Sequence, residues 1–403
     1  MASSFPKNMK TLKNIDVTQK RVLLRCDLNI PRDASGKILE DFRLRRIIPT
    51  IQYLLQKQAK IILLGHFGRP WEEATFPRSV LLKKKYSLAP QADYLSRILN
   101  RPILFLEDCI GEDIEKRVSE MKPGDIILLE NVRFYREEKD NDLEFAKKLA
   151  SLGEVFVNDA FSVSHRMHAS VVSIPKYLPS CGGFLMEEEV KNLSQVIENP
   201  KRPLIAIIGG AKLETKIKAI IKFLEIADHL LIGGRIANII LAAKGISIGR
   251  FLINPELEEM AAKIELTNPK IHLPIDGKVS LVPIDPDYIH VAAVGKIRKE
   301  EECFDIGPET IELFSGILKI AKTIVWNGPL GYFENEKFAQ GTLSIAEAIA
   351  RSKAFSIAGG GDTVAFLHKY GFFGKFSHIS TGGGAMLEFI AKNGRLPGIE
   401  VLE

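Results

Sequence analysis

Residues 204–210 read LIAIIGG: five consecutive apolar residues, three of them isoleucine, running straight into a pair of glycines. Continuous rather than alternating apolarity marks a strand covered on both faces, as in a parallel sheet. The same pattern recurs in both directions along the chain. Downstream lie HLLIGG (229–234), IHLPID (271–276), TIVWNG (323–328), FSIAGG (355–360) and FSHISTGGG (376–384). Upstream lie RVLLRCDL (21–28), KIILLGH (60–66), ILFLED (103–108), DIILLEN (125–131) and EVFVNDA (154–160). Stretches with helical periodicity, such as Pro90 to Leu99 and Asp142 to Leu152, supply the crossovers. The expected class is α/β, with two doubly wound parallel-sheet domains joined by a connecting helix and hinge.

The join falls at FLMEEEVKNLSQVIENPKRP (184–203). Met186, Val190, Leu193 and Ile197 are spaced to share one helix face, and Asn199-Pro200 ends the helix. The domains expected are therefore 1–184, a connecting helix over 185–200, and 201–391. A length of 403 residues is ample for two domains.

The totals exclude several classes. An apolar fraction of 46% with 26% charged residues is that of a globular protein, and a formal charge of +5 implies no nucleic-acid surface. Cys26, Cys109, Cys181 and Cys303 lie far apart with no Cys-x-x-Cys pair, which argues against a disulfide scaffold or zinc site and for a reducing compartment. The start MASSFPKNMK has no apolar core of a signal peptide, and no apolar run suffices for a membrane span. The cytoplasm is the expected location.

Nearly every strand candidate ends, at its C-terminal edge, in polar residues or glycine, and that edge is where open α/β sheets bind ligands. The first half places Asp27 and Asn29, His66 and Arg69, Asn131 and Arg133, and His165 and Arg166 there, with Arg43 in the first crossover. Convergent arginines suit a small, highly charged anion because each guanidinium is a fork of donors. The second half places Gly209-Gly210, Gly233-Gly234, Gly359–Gly361 and Gly382–Gly384. Such glycines let backbone N–H groups approach phosphates, and a following helix N-terminus adds positive charge. Lys212 and Lys216, four apart, are expected to share a helix face near one such terminus, and Asp362 is a natural carboxylate for Mg²⁺.

Other signals lose on context. Gly245-Ile246-Ser247-Ile248-Gly249 follows a helical stretch rather than the strand that a nucleophile elbow requires. His165 and His168 have no further ligand cluster nearby in sequence for a metal. Neither a Walker A sequence nor Gly-x-Gly-x-x-Gly occurs.

Taken in order, the strand-end clusters resemble phosphoglycerate kinase. The segments are RCDLNIP (25–31), GHFGRP (65–70), LLENVRFY (128–135), DAFSVSHR (159–166), GGFLMEEE (182–189), GGAKLETKI (209–217), WNGPLGYFE (326–334), GGGDT (359–363) and STGGGAMLE (380–388). The resemblance implies Mg²⁺-dependent phosphoryl transfer between ATP and the carboxylate of 3-phosphoglycerate, giving ADP and 1,3-bisphosphoglycerate, by a monomer whose domains close on the substrates. It implies a phosphoglycerate site of Asp27, Asn29, Arg43, His66, Phe67, Gly68, Arg69, Arg133 and Arg166. It implies a nucleotide site of Gly210, Lys216, Asn327, Glu334, Gly360, Gly361, Asp362 and Thr363, with Asp362 on the metal and Glu334 on the ribose. Arg43, Lys212, Lys216 and Gly383 would surround the migrating phosphoryl group. The tail 392–403 would return to the first domain. Two positions depart from the family pattern: Gly65 stands where Ser is common, and Arg235 where a third glycine is usual. Competing readings are another acyl-phosphate-forming kinase and an inactive nucleotide-binding interaction protein on the same fold.

Overall fold

The computed structural model describes residues 9–33, 35–73, 79–251, 253–265, 267–284 and 288–403. The chain divides into two compact units, one of Met1–Lys191 with Gly394–Glu403 and the other of Asn192–Asn393.

The first unit is built on six parallel strands: β1 (Arg21–Cys26), β2 (Lys60–Leu64), β3 (Leu104–Leu106), β4 (Ile126–Leu129), β5 (Val155–Asp159) and β6 (Ser180–Gly182), in the order β3-β4-β2-β1-β5-β6. Val22, Leu24, Ile61, Leu63, Val155 and Val157 pack on one face with Leu44, Ile47, Ile51 and Leu54 of the helix Phe42–Gln56. Leu23, Ile62, Leu64 and Phe156 pack on the other face with Phe145 and Leu149 of the helix Leu143–Ala150. Alternate residues of one strand thus serve opposite layers, which is why the runs are apolar throughout. From β1 the chain leaves towards β2, and from β5 it leaves towards β6 on the opposite side. That reversal opens a crevice at the C-terminal ends of β1 and β5. The tail docks on this unit, with Gly398 N donating to Ser164 O at 2.8 Å and Asn158 Nδ2 to Gly398 O at 3.1 Å.

The second unit carries β7 (Leu204–Ile208), β8 (His229–Ile232), β9 (Ile271–His272), β13 (Thr323–Asn327), β14 (Phe355–Gly359) and β15 (His378–Ser380), ordered β15-β14-β13-β7-β8-β9 and parallel throughout. Here the reversal lies between β7 and β13, where Gly209-Gly210 and Asn327-Gly328 emerge side by side. A small antiparallel sheet of β10 (Asp276–Ser280), β11 (His290–Ala293) and β12 (Glu302–Ile306) was not foreseen from the sequence, nor was β6.

Two local expectations need correction. The helix Phe184–Glu198 exists, but its last buried position is Val196 rather than Ile197. Lys212 and Lys216 do not share a helix face, because the helix begins only at Ile217. Thr215 Oγ1 donates to Lys212 O at 3.0 Å in the turn before it, and Lys216 is drawn back to strand-end carbonyls. No helix of the described residues is long and apolar enough to cross a membrane.

Candidate functional sites of the two units

In the first unit the residues beyond β1 are held by short-range bonds. Asn29 N donates to Asp27 Oδ1 at 3.2 Å, and Asn29 Oδ1 accepts from Gly68 N at 2.9 Å. Arg43, in the first turn of the helix Phe42–Gln56, places Nη1 2.9 Å from Asn29 O and 3.3 Å from the fully buried Asp27 carboxylate. The loop after β2 is fixed from the far side, since Asn131 Nδ2 donates to Phe67 O at 2.7 Å and Arg133 Nη1 to Gly68 O at 2.7 Å. The guanidinium of Arg32 lies 3.8 Å from the Phe67 ring centroid, clamping that side chain.

Arg69, Arg133 and Arg166 come together with His168 around one cavity of about 100 Å³, walled by Pro70, Trp71 and Tyr135. Burial, then the charges of Arg166 and Arg25, lower Arg133 to about 10, a measure of how much positive charge is gathered there. Burial and Arg133 hold His168 down at about 3, so it is neutral. Asp27, Asn29 and Arg43 do not line this cavity; they form a separate knot at the end of β1. The indole N–H of Trp71 has no hydrogen-bond partner among the described residues, so this cavity has a donor that the sequence reading passed over.

Sequence reading also missed a buried relay beneath the arginines. Arg25 is fully buried, donating from Nε to Ser170 Oγ at 2.9 Å and from Nη1 to Cys26 O at 2.5 Å. Ser170 Oγ in turn donates to the buried Glu138 Oε1 at 2.6 Å. Arg25 Nη2 stands 3.1 Å from His66 Nδ1. A guanidinium only donates, so His66 Nδ1 accepts and the ring proton sits on Nε2. Burial, followed by Arg133 and Arg25, holds His66 well below its usual value. The result is a neutral imidazole with a fixed donor. Gly65, ahead of it, is explained by packing: a Cβ there would lie 2.5 Å from Leu28 Cδ1.

In the second unit, Lys216 Nζ donates to Gly209 O at 2.5 Å and lies 3.4 Å from Asn327 O, at the crevice between β7 and β13. Burial lowers it to about 8, although Asp362 acts to raise it. Asn327 Nδ2 donates to Gly359 O at 2.8 Å, and Gly328 N donates to the buried Thr363 Oγ1 at 2.7 Å, so both side chains brace loops rather than face solvent. Gly360, at φ +113°, caps the helix Gly361–Lys369, and Asp362 stands exposed in its first turn. Gly383 opens the helix Gly383–Ala391 directly against Gly360. Lys212 is exposed. A cavity of about 380 Å³ includes Gly210, Glu334 and Asp362 in its lining, together with Arg235, Glu302, Phe304, Pro283 and Leu330.

Comparison with known proteins agrees with this architecture. The family model described as phosphoglycerate kinase matches residues 12–393. Among curated relatives, the phosphoglycerate kinase of Desulfosudis oleivorans is 46% identical over 401 residues, covering 98% of this chain and 99% of that one. That of Aquifex aeolicus is 43% identical, covering 95% of each. Among solved structures, the phosphoglycerate kinase of Coxiella burnetii superposes with a TM-score of 0.80 at 38% identity, and that of Pyrococcus horikoshii with 0.85 at 35%, each covering 98% of both chains. The chain belongs to the phosphoglycerate kinase family.

Proposed function

We propose that the arginine-lined cavity of the first unit holds 3-phosphoglycerate, and that the glycine loops and cavity of the second hold ATP or ADP. The observation that carries this assignment is the division of chemistry. Arg69, Arg133 and Arg166 converge on one small cavity in the first unit, while Gly210, Lys216 and the Gly360 turn gather at the sheet's switch point in the second. The reaction is phosphoryl transfer between ATP and the carboxylate of 3-phosphoglycerate. We take the chain to act as a monomer in the cytoplasm, as the family resemblance implies; its four cysteines are free thiols, which fits a reducing compartment.

An ionised carboxylate is the acceptor, so no general base has to remove a proton. Accordingly the imidazole of His66 is a neutral donor rather than a base. Catalysis then rests on positioning two anions and compensating their charge. Arg133 and Arg166 bind the phosphate of the acceptor, and Lys216 neutralises the nucleotide phosphates. The Asp362 carboxylate makes no hydrogen bond or ion pair among the described residues, and these contain no cluster of three metal-binding groups. A single carboxylate suits Mg²⁺, which takes its remaining ligands from phosphate and water and would neutralise charge on the nucleotide. The experiment is a coupled assay for ATP formation from ADP and 1,3-bisphosphoglycerate. Nucleotide binding without transfer would instead identify an inactive interaction protein.

Two further outcomes test the partition. Arg133→Ala or Arg166→Ala should weaken 3-phosphoglycerate binding by about 2–3 kcal/mol, the loss of a charge-assisted pair, while ADP affinity stays within twofold. Calorimetry with each ligand alone makes the comparison, and equal losses for both would contradict it. The second concerns pH. Lys216 is charged below about 8, and a polyanion prefers the ammonium form. ADP affinity should therefore fall roughly tenfold between pH 7.5 and 9.5, with net proton uptake on binding at the upper end. Lys216→Arg, which stays protonated, should flatten that dependence; an unchanged profile in the variant would remove Lys216 as its source.

A further inference from the structure

Arg235 stands at an unfavourable place for a cation, in the first turn of the helix Gly234–Ala243, where the helix dipole favours negative charge. Its guanidinium is held instead by the cavity wall. Arg235 Cζ lies 4.7 Å from the Phe251 ring centroid, and Nη1 lies 3.6 Å from Glu302 Oε1. At that separation the pair is attracted but not hydrogen-bonded, so the guanidinium keeps its donors and Glu302 its acceptors for a third group. Both residues line the 380 Å³ cavity, whose lining also includes Gly210, Asp362 and Glu334. With phosphates at Gly210 and Asp362 and the ribose at Glu334, the base is the part of the nucleotide left to meet Arg235 and Glu302.

Resting on the nucleotide-site assignment above, we propose that Arg235 and Glu302 read the edge of the purine and adapt this enzyme to guanine as well as adenine nucleotides. A guanidinium offers only donors. Facing the purine 6-position, it meets the O6 acceptor of guanine, with N7 beside it, but the N6 amino donor of adenine. Glu302 offers only acceptors and matches the N1–H and 2-amino group of guanine. Adenine retains one of these contacts, N7 to Arg235, so ATP remains a substrate. A glycine at position 235 offers the base none of these side-chain donors and leaves guanine O6 unmatched.

The test compares kcat/KM for GTP and ATP in the full-length enzyme and in Arg235→Met, which keeps the stem over Phe251 and removes the donors. In the unaltered enzyme the two values should lie within about tenfold of each other. In Arg235→Met the GTP-to-ATP ratio should fall about tenfold or more, the discrimination of one bidentate pair. Inosine triphosphate, which has O6 but no 2-amino group, should fall with GTP in Arg235→Met but lose nothing further in Glu302→Gln beyond its N1–H contact. Calorimetry with GDP and ADP gives the same ratio independently of turnover. A ratio unmoved within twofold in Arg235→Met, with ATP still turned over, overturns the proposal. Failure of every nucleotide in the unaltered enzyme would sink the phosphoryl-transfer assignment beneath it.

Discussion

Arg43→Ala should lower kcat by roughly 10³-fold, the scale of losing a transition-state arginine or oxyanion donor. Michaelis constants for 3-phosphoglycerate and ATP should move only a few-fold. The separation follows from where the arginines sit. Arg69, Arg133 and Arg166 line one cavity, and on the proposed assignment they hold the acceptor's phosphate in the ground state. Arg43 lies apart from them, pinned through Nη1 by Asn29 O and Asp27, and among the described residues its Nε and Nη2 make no hydrogen bond. One edge of its fork is anchored and the other is open. In-line transfer between oxyanions needs a cation on the acceptor side, and in the proposed arrangement Lys216 serves the nucleotide side. Arg43→Lys should rescue poorly, because a point charge cannot be anchored at one edge and donate at the other. Removing Arg43 also deprives the buried Asp27 of its ion pair, at a cost of about 1–3 kcal/mol of stability. Thermal melting of Arg43→Ala, Asp27→Asn and the double variant separates that effect from kcat. A near-normal kcat in a folded Arg43→Ala would sink the assignment.

Legibility in the sequence follows the physics of each element. Strands such as β1, β2, β7 and β13 were readable because covering both faces of a parallel sheet demands an unbroken apolar run. The antiparallel sheet was not. Asp276-Gly277-Lys278-Val279-Ser280 looks like a turn, and Asp276 is buried only because its carboxylate accepts from Glu309 N and Thr310 N at the start of the helix Pro308–Leu318. β6, three residues long, carries too little pattern to register.

The candidate site divides in the same way. Glycines and arginines at strand ends stood out because their residue types are chemically unusual there. Arg25 did not, since its burial depends on Ser170 and Glu138, 145 and 113 positions away in sequence. A buried cation is recognisable only when its tertiary partners are known. Lys212 was misjudged for a related reason. A four-residue spacing implies a shared face only inside a helix, and the helix starts after both lysines.

Gly383→Ala should reduce kcat about a hundredfold while leaving 3-phosphoglycerate binding to the first unit unchanged. A Cβ on Gly383 would lie 2.3 Å from Gly360 Cα and 2.6 Å from Gly360 N. Both are backbone atoms, so no rotamer change relieves the clash, and the two loops must part by roughly 1 Å to restore van der Waals contact. Gly360 cannot readily yield, because its φ of +113° is tied to the turn that opens the helix Gly361–Lys369. Displacing it moves Asp362 and the helix N–H groups together, and a misplacement of about 1 Å costs on the order of 10² in rate. Gly384→Ala is the matched comparison. Its Cβ meets nothing within 4 Å, and alanine is the better helix former, so activity should stay within a few-fold. Steady-state kinetics on both variants, with calorimetric titration of 3-phosphoglycerate into Gly383→Ala, decides the matter. Equal activities for the two alanine variants would show that the contact between the Gly360 and Gly383 loops does not set the position of the nucleotide's phosphates.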